Sequence, residues 1–260
     1  VLSTIPVLFN YWAKPKDGLE TSRFFNDHIA DTVTKNPNRF IGIGTVPLQD
    51  IDLAIGEMER CITELKMPGL EIGSNINGEN LSDKKFFPFY KRADELGCSL
   101  FVHPWEMMGE AQMQQYWLPW LVGMPAETSR AICSMIFGGV LEKFPSLKIA
   151  FAHGGGSFPS TIGRIEHGFH VRPDLVAIDN KVNPRHYIGK FWIDSLVHDE
   201  KAMHFIMDVM GADKICLGSD YPFPLGEHHP GKMIEQMEMD NSTREKLLYK
   251  NALDWLGISL

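Results

Sequence analysis

Lys148-Ile149-Ala150-Phe151-Ala152-His153-Gly154-Gly155-Gly156 is the stretch on which the reading of the fold turns. Four apolar residues stand in a row with a cation before them and a histidine behind. That is the pattern of a strand buried on both faces, not the alternation of a half-exposed one. The three glycines that follow end the strand and admit backbone angles closed to other residues. Working outward, runs of the same kind recur at Leu2 to Val7, Phe40 to Val46, Gly69 to Gly73, Ser99 to His103, Phe191 to Leu196 and Lys214 to Ser219. Each gives way to a polar loop and then to a segment of helical period, the signature of repeated βα units around a parallel sheet. Pro125 predicts a helix start ahead of Ala126 to Phe144. The spacing Ser242-x-x-Glu245 predicts a capping box on the last helix, which Gly257 closes.

Seven such units predict a TIM (β/α)8 barrel, which has eight units in about 250 residues. Because the chain opens directly on a strand, the absent first βα unit is expected to lie before Val1. The structural alternative is a doubly wound open sheet, but no strand here is followed by G-x-G-x-x-G or a Walker A loop.

The 260 residues are 44% hydrophobic and 22% charged, with no Pro/Ser-rich linker, and are expected to form one α/β domain over 1–260. A formal net charge of −8 disfavours a nucleic-acid partner, whose phosphates need clustered Lys and Arg. No apolar run approaches a membrane span and no signal-peptide layout opens the chain, so a cytosolic location is expected. Cys61, Cys98, Cys133 and Cys216 are scattered among apolar neighbours, as reduced core residues are.

In a barrel the chemistry sits where strands end and βα loops begin. His103 closes Leu100-Phe101-Val102, His153 closes Ile149-Ala150-Phe151-Ala152, and Asp220 follows Cys216-Leu217-Gly218-Ser219. Two imidazoles and a carboxylate on one rim form a donor set suited to Zn²⁺. Taken singly, each is more often a satisfied structural residue than a ligand. Pro104 and Pro222 keep the preceding residues out of the helical region, so the chain leaves both strands extended. Gly154 to Gly156 leave space beside His153, either as a plain turn or as an anion cradle.

Other polar residues read more weakly. His167 and His170 have the spacing of a metal pair or of a solvated helix face, and His228 and His229 read as loop surface. Asp194, at a strand end, either supports a ligand or makes a structural hydrogen bond. Trp105, Trp120 and Phe223 lie in loop-like segments, where they line a pocket for a flat conjugated substrate or simply pack under loops. Arg164, a helical turn or two past the glycines, is placed either to clamp a carboxylate or as a surface arginine.

At these residues the sequence resembles the aminocarboxymuconate semialdehyde decarboxylase family of the amidohydrolase superfamily, over nearly its whole length. The matching stretches are Leu2 to Val7, Phe101-Val102-His103-Pro104-Trp105, Tyr116 to Thr128 (YWLPWLVGMPAET), Phe151 to Gly156 and Leu217 to Glu227 (LGSDYPFPLGE). The resemblance implies a TIM barrel with one zinc ion, a homodimer and a small dicarboxylate semialdehyde substrate. The implied reaction is non-oxidative decarboxylation in the kynurenine or 2-nitrobenzoate branch of aromatic catabolism. On this resemblance His103 and Asp220 match metal ligands, and His153 matches the histidine that hydrogen-bonds and deprotonates the metal-bound water. Arg164 matches an arginine that binds a substrate carboxylate in the neighbouring subunit's site, while Trp105, Trp120 and Phe223 match pocket aromatics. The H-x-H pair that such enzymes carry on their first strand occurs nowhere in this sequence. The chain as given is therefore expected to hold zinc poorly. Two other outcomes fit the same residues: a sister activity on a hydroxybenzoate-like acid or a lactone, and a shortened, inactive form that pairs with a complete subunit.

Overall fold

Each apolar run takes up a place in one parallel sheet in the computed structural model, which describes residues 1–259. The strands are β1 (Gly69–Gly73), β2 (Asn75–Ile76), β3 (Glu79–Asn80), β4 (Ser99–His103), β5 (Ile149–Phe151), β6 (Trp192–Asp194) and β7 (Ile215–Cys216). β2 and β3 form a small antiparallel hairpin, and the others pair in parallel in the order β1-β4-β5-β6-β7. Single parallel bridges, Leu2 to Gly42 and Gly44 to Leu70, add the first two runs beyond β1. The spatial order thus follows the chain order without reversal. A doubly wound sheet must reverse once, so that alternative falls. Right-handed crossovers that always step to the next strand put every helix on one face and curl the sheet into a barrel. β1, β5 and β6 are buried along their whole length, which explains the unbroken apolar sequence of β5 and leaves Glu71 of β1 and Asp194 of β6 as buried carboxyls.

The helices are α1 (Pro15–Lys35), α2 (Ile51–Thr63), α3 (Phe87–Leu96), α4 (Met124–Phe137), α5 (Val140–Lys143), α6 (Phe158–Val171), α7 (Pro173–Val176), α8 (Glu200–Met210), α9 (Lys232–Gln236), α10 (Asn241–Glu245) and α11 (Asn251–Leu256). α2 starts where the Asp50 carboxylate accepts from Leu53 N at 3.0 Å, and α8 where Asp199 accepts from Ala202 N at 2.8 Å. Two expectations are corrected. The segment Ala126 to Phe144 is not one helix, because the chain breaks at Gly138 and Gly139 between α4 and α5. Gly139 is left-handed at φ 73°, and a side chain at Gly138 would collide with Ser82. The cap of α10 is Asp240, whose carboxylate accepts from Thr243 N at 2.9 Å and from Thr243 Oγ1 at 2.7 Å, so Ser242 lies inside the helix. Gly257 closes α11 in the left-handed conformation, as expected.

Strand residues alternate between two environments. Ile72, Leu100, Val102, Phe151 and Ile193 pack outward with Ala54, Met58, Ala131, Ile132, Phe158 and Met203 of the helices. Ile43, Glu71, Phe101, Ala150, Asp194 and Cys216 line an interior cavity of about 450 Å³, shared with His103, His153 and Asp220 at its upper end. Among the described residues the cysteines are free, with Cys133 half-buried and the other three buried, and no helix is long and apolar enough to cross a membrane.

Candidate metal centre and active site

His103 is the last residue of β4, beside Gly73 in the parallel register. Its Nδ1 lies 3.0 Å from the carbonyl of Pro104, which makes Nδ1 the protonated nitrogen and leaves a lone pair on Nε2. That Nε2 is buried and has no hydrogen-bond partner. It stands 3.8 Å from Asp220 Oδ1. His153 follows β5 after one residue, with its Nε2 4.0 Å from Asp220 Oδ2. The two imidazoles meet edge to face, centroids 4.8 Å apart. One ligand atom from each of His103, His153 and Asp220 fits within a 4.8 Å span.

The backbone is bent to make this convergence. His153 and Asp220 are left-handed at φ 57° and 49°, a region that non-glycine residues enter at a cost. At His153 the turn is held from below, where Asp194 Oδ1 accepts from Gly154 N at 2.8 Å and from Leu196 N at 3.0 Å. Burial raises the Asp194 carboxyl and these N–H donors oppose the rise. Of the two alternatives for Asp194, the structure shows the hydrogen bond. All three glycines beyond His153 have positive φ. A Cβ at Gly154 would meet Val197 Cγ1 at 2.5 Å, and one at Gly156 would strike the carbonyl of Pro125, so side chains are shut out on both sides. Past β7, Phe223 N donates to Asp220 O at 2.9 Å and folds the loop so that Phe223 faces the site.

The electrostatics suit a cation. Burial, then the charge of His103 nearby, pushes His153 down to about 3, so it is neutral at pH 7. Burial alone would lower His103 as well, but the Asp220 and Glu71 carboxylates outweigh it and the net shift is upward. Glu71, on β1, is buried with Oε2 unpartnered, and burial pushes its carboxyl up to about 7. An orphaned imidazole nitrogen, a neutral second imidazole and a carboxylate form a donor set that fits a divalent metal ion.

Two arms open from this centre. An aromatic slot of about 220 Å³ is lined by His103, Trp105, Trp117, Trp120, Asp220 and Phe223 among others. Trp117 and Trp120 lie 5.8 Å apart, tilted by 31°. A second arm of about 390 Å³ runs past His153, Gly154, Gly156, Ser160, His198 and Phe205. Trp105 lies in a loop and Phe223 in a turn, whereas Trp120 is in a helical turn, Pro119–Gly123, that leads straight into α4. Arg164 is exposed on α6 and lines neither arm of its own chain. His167 and His170 are exposed on that helix, His170 Nε2 facing Asn183 Nδ2 at 3.3 Å, and His228 and His229 are surface residues. Glu71, Trp117 and His198 were not singled out from sequence. For Glu71 the signal was an acidic residue inside the apolar run Gly69 to Gly73, and for Trp117 it was the second indole in YWLPW.

A sequentially wound parallel barrel that gathers two imidazoles and a carboxylate at the carboxyl ends of its strands defines a metal-dependent hydrolase or lyase of the amidohydrolase type. The chain belongs to the amidohydrolase family, whose description matches residues 7–258, and within it to the decarboxylase branch. It is 60% identical over 259 residues to the 2-amino-3-carboxymuconate-6-semialdehyde decarboxylase of Dictyostelium discoideum, an overlap of 99% of this chain and 72% of the relative. It superposes with a TM-score of 0.91 at 27% identity on the 5-carboxyvanillate decarboxylase of Sphingomonas paucimobilis, covering 100% of this chain and 78% of that one. The 5-carboxyvanillate decarboxylase of Novosphingobium aromaticivorans, complexed with manganese and 4-hydroxy-3-methoxy-5-nitrobenzoic acid, matches with a TM-score of 0.86 at 27% identity over 98% of this chain and 74% of that one.

Proposed function

We propose that this enzyme removes CO₂ from 2-amino-3-carboxymuconate-6-semialdehyde without oxidation, yielding 2-aminomuconate-6-semialdehyde, as a cytosolic homodimer in tryptophan catabolism through kynurenine. The observation that carries the reading is the convergence of His103, His153 and Asp220 beside an aromatic slot, in a chain so similar to a decarboxylase of that name. His103 Nε2 and Asp220 would hold the divalent ion, assigned as zinc. When bound, that ion supplies Lewis-acid stabilisation of charge developing on an oxygen.

Decarboxylation breaks a C–C bond, releases CO₂ and leaves an electron pair on carbon, which a proton must then occupy. His153 is the group placed to hold and pass that proton at Nε2, which faces Asp220 Oδ2 at 4.0 Å and which burial keeps unprotonated in the metal-free chain. Trp105, Trp120 and Phe223 form apolar walls against which a flat conjugated chain packs and from which water is excluded. A guanidinium that pairs a carboxylate in bidentate fashion orients the substrate without being consumed, and Arg164 supplies it across the dimer.

The test pairs metal analysis with a spectrophotometric assay of substrate loss. In a form that also carries the H-x-H pair, His153→Ala is expected to keep its metal and lose roughly 10²- to 10⁴-fold in turnover, whereas Asp220→Ala is expected to lose metal as well. Equal metal loss in both variants would make His153 a ligand. The whole-chain likeness to a 5-carboxyvanillate decarboxylase supports a second reading, an aromatic carboxylate as substrate. Turnover of 5-carboxyvanillate or a dihydroxybenzoate, with none of the muconate, would select it.

A further inference from the structure

We propose that Glu127 is a positioning residue that sets the width of the aromatic slot by holding the Trp105 backbone against the segment that carries Trp120. The proposal rests on the slot being the substrate site. Glu127 lies in the first turn of α4 and is wholly buried, a costly place for a carboxylate unless every lone pair is used. Here they are used. Oε1 accepts from Ser74 Oγ at 3.0 Å, from Asn75 Nδ2 at 3.0 Å and from Arg130 Nη2, while Oε2 accepts from Met108 N at 3.2 Å.

The two residues clasped by Oε1 in turn clasp Trp105. Ser74 Oγ accepts from Trp105 N at 3.3 Å and Asn75 Nδ2 donates to Trp105 O at 2.9 Å. The shortest contacts define one arrangement, with longer alternatives from Ser74 Oγ to Trp105 O at 3.5 Å and from Asn75 Nδ2 to Glu106 O at 3.4 Å. The Ser74 hydroxyl gives its proton to Glu127 and takes the Trp105 N–H, and the two amide protons of Asn75 go to Glu127 and Trp105. The Asn75 amide is itself oriented by Gly78 N, which donates to Asn75 Oδ1 at 2.9 Å. Directly beyond Trp105, Glu106 is left-handed at φ 52°, so the loop makes a strained bend that needs support from outside. Glu127 supplies that support from α4, the helix that continues the Trp120 turn. The carboxylate thus ties the two facing walls of the slot together. Glutamine cannot replace it, because its amide would offer N–H groups where the site presents N–H and O–H donors.

The experiment measures kcat, KM, bound metal and Tm for Glu127→Gln, Ser74→Ala and Trp105→Ala in the metal-loaded full chain. Glu127→Gln is expected to raise KM about tenfold or more, with kcat within a few-fold and metal content unchanged, and Ser74→Ala to move KM the same way by less. A lower Tm with kcat and KM per bound metal unchanged in both would make Glu127 merely structural and overturn the proposal. If Glu127→Gln does not fold, Ser74→Ala decides, and an unchanged KM there overturns it. Trp105→Ala separates the two levels of the argument. An unchanged KM in Trp105→Ala removes the slot as the substrate site, whereas a raised KM there with normal KM in the other two removes only the role of Glu127.

Discussion

At the scale of single residues, His103 shows how a backbone carbonyl can choose a tautomer. Its Nδ1 is committed to Pro104 O, so Nε2 is the nitrogen left to face Asp220 and to serve as the ligand once it is unprotonated. Glu71 presents the opposite case, a carboxyl in the same cavity that burial lifts from 4.5 to about 7. Between those values the folded metal-free chain keeps a proton that the unfolded chain has released. Glu71 therefore favours folding least at high pH. Its contribution is fully present below about pH 4.5 and is lost as the pH rises through about 7. The loss is on the order of 3 kcal/mol. Thermal denaturation of metal-free protein from pH 5 to pH 8 should show Tm falling across this range, and Glu71→Gln should flatten the fall and be the more stable form at pH 8. Curves for the two proteins that run parallel would show that Glu71 does not titrate there.

At the scale of elements, the turn from His153 to Gly156 couples three parts of the barrel. Asp194 at the end of β6 holds it from beneath, Val197 closes one side, and Pro125 of α4 closes the other. Gly156→Ala would place a methyl group against the Pro125 carbonyl at a φ of +62°. It should cost about 1–3 kcal/mol or more. Because the same turn aims the imidazole, activity per folded molecule should fall too. Gly56→Ala makes the matched control, since Gly56 sits in α2 with nothing within 4 Å of an added Cβ. That change should stabilise the protein by roughly 0.4–1 kcal/mol, through the unfolded state alone. Melting curves of the two variants, with opposite signs expected, test the assignment. A harmless Gly156→Ala would mean that the turn has slack that the packing does not show.

For the molecule as a whole, the residue that tests assembly is Arg164, exposed on α6 and outside both arms of its own site. If it reaches a neighbour's site in an isologous dimer, each site combines His153 of one chain with Arg164 of the other. Arg164→Ala and His153→Ala should then each be nearly inactive alone. Co-refolding them at equal amounts makes about half the dimers mixed, and each mixed dimer contains one site with both groups intact and one with neither. Roughly a quarter of all sites should recover. Should Arg164 serve its own subunit, every site keeps one lesion and no activity returns. Subunit exchange confirmed by a tagged pull-down makes that negative result decisive.

Most of the barrel was legible because strand and helix periods are local. Gly69 to Gly73 and Ser99 to His103 were read to the residue, and Asp194 was read as a strand end. Less was legible where neighbours outvote local preference. The first two runs pair only through single bridges, glycines at 138 and 139 divide a helix that its apolar period would continue, and Asp240 takes the cap from Ser242. By itself the sequence determined the order of the βα units and the residues at their ends, since both depend on neighbours within a few positions. Tertiary structure alone decided that His103, His153 and Asp220 meet within 4.8 Å. It also placed Glu71 beneath them and Glu127 behind Trp105. Such meetings require the register and curl of the whole sheet, which bring together side chains tens of residues apart.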